Sequence, residues 1–179
     1  GWGTGSVTLQ GATVLAGWEH VTSNTWSNRF ILEEGTVSSF GSSTNATGKV
    51  LTLSGGISGN GALSKTTGNT LVLAHANTYA GGTQIRGGTL RLGDRNALGT
   101  GTAAVHMGGT LDLNRYDVSN TIRLSGGEVL NWGTVARVEI GHQVVWADQH
   151  LEGTLALSDG SRILAGNSMT LGTGDSLAA

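Results

Sequence analysis

Gly88-Thr89-Leu90-Arg91-Leu92 is the string whose reading decides the fold, because it recurs. Lys49-Val50-Leu51-Thr52-Leu53 and Asn69-Thr70-Leu71-Val72-Leu73 precede it, and Gly109-Thr110-Leu111-Asp112-Leu113 follows it. The first Leu of each copy is Leu51, Leu71, Leu90 and Leu111, so the successive steps are 20, 19 and 21. A further copy, Gly153-Thr154-Leu155-Ala156-Leu157, lies two such steps beyond Leu111. A second apolar column runs Leu63, Ile85, Val105, Leu124, with steps of 22, 20 and 19. Within each string Leu alternates with Thr52, Arg91 or Asp112, the period of a strand with one buried face. A strand-bearing unit repeated about every 20 residues is the pattern of a solenoid, in which each coil buries its apolar face on its neighbours. Helical repeats need longer units, and a leucine-rich repeat needs an Asn or Cys ladder that is missing here. The spacing therefore predicts an all-β parallel β-helix of about 20 residues per coil. Its core is Leu51, Leu53, Leu71, Leu73, Ile85, Leu90, Leu92, Val105, Leu111, Leu113 and Leu124.

The composition follows from that fold. Of 179 residues, 31 are Gly, none is Pro and none is Cys. Coil corners demand backbone conformations that Gly adopts without steric cost, while Pro would delete a hydrogen bond between coils. Absence of Cys excludes disulfides, thiolate catalysis and thiolate metal sites. With a net charge of −2 and 12% charged residues, the chain has no basic field for nucleic acid or an anionic membrane. No apolar run reaches the ~18 residues of a spanning helix, so membrane insertion by this segment is not expected. A single domain over 1–179 is expected, with irregular first coils and a side loop in 1–48. Regular repeats follow over 49–130, and wider or capping coils over 131–179. The Ser/Thr/Asn-rich tract Ser38 to Thr47 reads as the side loop, and Trp2, Trp18 and Trp26 cluster near the start.

The span Gly59 to Asn114 carries a second signal. Gly59-Asn60-Gly61-Ala62-Leu63 leads to Asn77-Thr78-Tyr79-Ala80-Gly81-Gly82-Thr83, then Gly87-Gly88-Thr89-Leu90, Asn96-Ala97-Leu98-Gly99 and Gly108-Gly109-Thr110-Leu111. This series resembles the passenger-associated strand repeat of bacterial autotransporters (type V secretion). The resemblance implies a right-handed parallel β-helix, displayed on the bacterial surface or secreted. It implies a structural stalk, with a stable segment that seeds folding as an autochaperone. The family's translocator barrel and linker helix are not among these residues, so the chain reads as a passenger segment.

Candidate chemistry is sparse. A β-helix hydrolase or lyase needs several acids on one face, and no acids align in coil register. Arg91 and Asp112 stand one coil apart and are expected to form an exposed cross-rung ion pair. Glu33 and Glu34 are read as facing opposite sides of a strand. The five His residues (His20, His75, His106, His142 and His150) lack ligand spacing, with His75 and His106 on different faces. Asn77 is read as a corner residue bonding its own backbone, with Tyr79 packed beneath. No catalytic, metal or cofactor-binding residue is assigned, and the chain is expected not to be an enzyme. The alternatives are an adhesin binding a host surface or glycan, with Ser38 to Thr47 and the Trp cluster as the places to look, or, less favoured, a polysaccharide-cleaving β-helix. Strand-like ends, Val7-Thr8-Leu9 and Met169-Thr170-Leu171-Gly172, lead to the expected partners. These are the rest of its own passenger or identical subunits stacked end to end into filaments.

Overall fold

The computed structural model describes residues 3, 5–16, 22–42 and 47–130 in full. Beyond 130 it describes the backbones of strands over 135–141, 144–147, 150–151, 154–158, 162–165, 170–171 and 177–178, with the Glu139 side chain. Every strand pairing among these is parallel, the described residues contain no helix, and the chain is a β-solenoid.

Three larger sheets wrap the core, and two parallel pairs, Val144–Ala147 with Arg162–Ala165 and His150–Leu151 with Thr170–Leu171, accompany them towards the end of the chain. The longest has nine strands: Thr13–Ala16, Val37–Ser42, Ala62–Lys65, Thr83–Ile85, Ala103–His106, Val118–Ser125, Val135–Gly141, Thr154–Ser158 and Leu177–Ala178. The second has six, from Ser23–Trp26 through Val50–Leu53, Thr70–Leu73, Gly88–Leu92 and Gly109–Asp112 to Glu128–Leu130. The third pairs Val7–Leu9, Phe30–Leu32 and Ile57–Gly59. Within the second, Leu51, Leu71, Leu90 and Leu111 stand in strict register, as the recurring string requires.

Coil size is not constant. Along the nine-stranded sheet the register passes through Thr13, Ser39, Ser64, Gln84, Ala104, Arg123, Glu139, Ala156 and Ala178. The coil is longest from Thr13 to Ser64, settles near the expected period from Ser64 to Arg123, and is shortest from Arg123 to Ala156. The coils expected to widen after residue 131 are therefore at first the narrowest. The early coils are longer, yet their strands keep the ladder: Val37–Ser42 pairs on both sides and buries Ser38, Phe40 and Ser42. Half of the tract read as a side loop is therefore strand, and residues 43–46 lie outside the described residues. Phe40 meets Phe30 of the same coil edge-on at 5.0 Å between ring centroids, filling its core.

Two column assignments need correction. Ile85 is in register with Lys65, not Leu63; Leu63 stands opposite Thr83. Strand alternation puts Leu63 and Lys65 on the same inward face, and matching by hydrophobicity chose the wrong one of the two. Leu155 and Leu157 pair with Val138 and Ile140 in the nine-stranded sheet, so they continue the other column and not that of Leu111. All eleven residues taken as core are buried, joined by Tyr79, Ala97, Leu98 and Ile122, each at 0% exposure.

Candidate functional site

Among the described residues, Asn77, Tyr79 and Lys65 bring buried polar groups to the corners of neighbouring coils. Asn77 follows the strand Thr70–Leu73 and an exposed turn, at a corner where the chain makes no strand of its own. Its side chain does not bond its own backbone as expected. Its Oδ1 accepts from the Ile57 amide of the preceding coil at 2.7 Å, and its Nδ2 donates to the Ala97 carbonyl of the next at 2.7 Å. One buried amide thus ties three consecutive coils, filling hydrogen-bond positions that a strand would have filled. Just beyond it, the fully buried Tyr79 bonds the Thr83 hydroxyl at 2.6 Å. Burial raises its phenol well above the ordinary range. The turn Asp94 to Gly99 drops Ala97 and Leu98 into the core behind this tyrosine. Gly99 sits at φ +65°, and a Cβ there would overlap the Tyr79 carbonyl oxygen, so the turn closes only on Gly.

Lys65 enters the core at the opposite corner. It is fully buried, and its ammonium donates to the carbonyls of Thr67 and Gly87, the latter at 3.1 Å. Desolvation lowers it to about 8. Gly88, at φ +64°, runs so close to the coil before it that a Cβ would overlap the Thr67 carbonyl oxygen.

Two cross-rung ion pairs engage acids among the described residues. Arg91 and Asp112 form the expected cross-rung pair at 2.6 Å, but it is not an exposed one: their side chains are 51% and 3% accessible. Asp112 also accepts from the Asn114 amide at 3.0 Å. A second cross-rung pair, Arg123 with Glu139 at 2.8 Å, was not anticipated, because the coil between them is shorter than the period of the recurring string. Glu33 and Glu34 sit together in an exposed turn after Phe30–Leu32, rather than on opposite strand faces. His106 is held below its usual range, by burial first and then by Arg86. No group of three or more His, Asp or Glu among the described residues could hold a metal ion. Trp26 packs partly buried against the core; Trp2, Trp18, Trp132, His20 and His142 lie outside the described residues.

This interlocked block coincides with a known unit. Residues 63–92 match the family model Passenger-associated-transport-repeat. The autotransporter resemblance is borne out. Over 88 residues the chain is 47% identical to a protein named "Adhesin BmaC autotransporter" from Brucella suis biovar 1 (strain 1330). That alignment covers 48% of this chain and 2% of the relative, so the chain spans a small fraction of that protein's length. No solved structure matches the chain. The passenger-associated transport repeat thus contains both Lys65 and Tyr79. Asn77 at its centre bonds to coils before and after it.

Proposed function

We propose that the chain is a non-enzymatic segment of a surface-displayed or secreted autotransporter passenger, a stalk whose repeat block seeds folding. The observation that carries this reading is Asn77, which joins the coils of Ile57 and Ala97 from inside the matched repeat. A solenoid grows by adding coils to an existing template, so the first stable template sets the rate at which the rest orders. Coils tied by buried side-chain bonds as well as by ladder are the ones that persist alone. The relative's name adds support for a place at the cell surface. An adhesive role for the longer passenger is compatible with a stalk here, since adhesion can reside in other coils.

Hydrogen exchange during refolding from urea tests the seed. Amides over 57–112 are expected to gain protection first and lose it last. Protection that appears first over 7–42 would overturn the reading. In cells, Asn77→Ala in the full passenger is expected to reduce surface display while leaving membrane insertion of the translocator unchanged.

A further inference from the structure

The outer surface of the three-stranded sheet carries a groove of about 340 Å³. It runs along the solenoid axis across four successive coils, contributed in turn by Ser6, then Arg29, then Ser58, then His75 and Thr78. At about 4.8 Å per coil it is roughly 14 Å long. We propose that this groove binds an acidic oligosaccharide, with Arg29 as the anion contact.

The chemistry of the walls selects that ligand. No acid lines the groove, although the chain as a whole is negative. Arg29 is exposed at its edge and makes no ion pair among the described residues, so its planar fork is free for a carboxylate or sulfate. The His75 Nδ1–H donates to the Ala76 carbonyl at 2.6 Å, which fixes the ring and leaves Nε2 available. The hydroxyls of Ser6, Ser58 and Thr78 have no partner among the described residues. Ile31, 38% exposed, offers an apolar wall for the C–H face of a sugar ring.

The groove is also pre-shaped. Asn77 fixes the Ile57 amide, and the Thr78 amide bonds the Ile57 carbonyl at 2.9 Å, so the wall cannot shift without breaking the interlock. Gly56 forms part of the floor: a Cβ there would stand 3.4 Å from the His75 Nδ1, and larger side chains would fill the space. A peptide is the poorer fit. The central strand Phe30–Leu32 is paired on both sides, leaving it no edge for an added strand, while scattered hydroxyls suit a polyol.

Isothermal titration of the folded chain tests this with four probes: a heparin tetrasaccharide, a hyaluronan tetrasaccharide, maltotetraose and tetraglutamate. At least one acidic tetrasaccharide is expected to bind, the two reporting sulfate and carboxylate respectively, with neither maltotetraose nor tetraglutamate binding. Arg29→Gln and Gly56→Val are each expected to weaken binding at least tenfold while keeping the wild-type far-UV spectrum. Arg86→Gln, outside the groove, is expected to leave it unchanged. No binding of either acidic sugar, binding that survives either groove variant, or equal binding of tetraglutamate overturns the proposal. Because the titration starts from chain that has already folded, the outcome is independent of whether the repeat seeds folding.

Discussion

At the residue scale the interior polar groups carry the sharpest consequences. Asn77→Ala leaves the Ile57 amide and the Ala97 carbonyl buried without partners. Each orphaned group costs about 1–3 kcal/mol, so a loss of roughly 2–6 kcal/mol is expected in urea unfolding. Tyr79→Phe keeps the packing and orphans only the Thr83 hydroxyl, so it should cost about 1–2 kcal/mol. Lys65 gives a pH signature with a defined sign. Its folded value, about 8, lies below the ordinary 10.5, so the unfolded chain binds more protons between those limits. Its contribution therefore rises with pH above 8 and is at its least favourable below. The urea midpoint is expected to increase from pH 7.5 to 9.5, and Lys65→Met to flatten that increase. A midpoint that falls over this window in the wild-type chain, or rises equally in the variant, would remove the buried ammonium as its source.

At the scale of the element, strand faces set the cost of a charge. Leu90 points into the core between Leu71 and Leu111, so Leu90→Asp should cost several kcal/mol by burying an unpaired carboxylate. Thr52, half-buried on the outer face between Thr25 and Val72, should tolerate Asp at under about 1 kcal/mol. Arg91→Ala is a more informative change than an ordinary surface deletion. It takes the guanidinium away from Asp112, which keeps the Asn114 amide but is only 3% accessible, so a cost of about 1–3 kcal/mol is expected where an exposed pair would give under 1. A double-mutant cycle with Asp112→Ala separates the pairing energy from the burial.

Across the whole molecule, parallel ladders with no helix among the described residues predict a far-UV spectrum dominated by β signal. More than about a fifth helix would contradict it. The described strands pair with those of neighbouring coils, so stability is a sum over neighbouring coils. Damage at Asn77 should accordingly spread first to the coils of Ile57 and Ala97, and hydrogen exchange at single-residue resolution would display that pattern.

The period, the strand faces and the Leu column through Leu51, Leu71, Leu90 and Leu111 were determined by the sequence itself. Inward apolar residues at a fixed step admit only one stacking register on that face, because a one-residue slip would expose every Leu. The second column was not determinable in this way. Ala62-Leu63-Ser64-Lys65 offers two inward positions, and only the length of the intervening corner decides that Ile85 lies over Lys65. Corner length also hid the shift of Leu155 to the other sheet, since the short coils between Arg123 and Ala156 break the extrapolated step. The direction of Asn77's bonds, the burial of Asp112 and the Arg29 groove were likewise decided by tertiary structure. Each depends on which residues of adjacent coils stand above and below, a full coil away along the chain, and an isolated residue type carries no record of that neighbour.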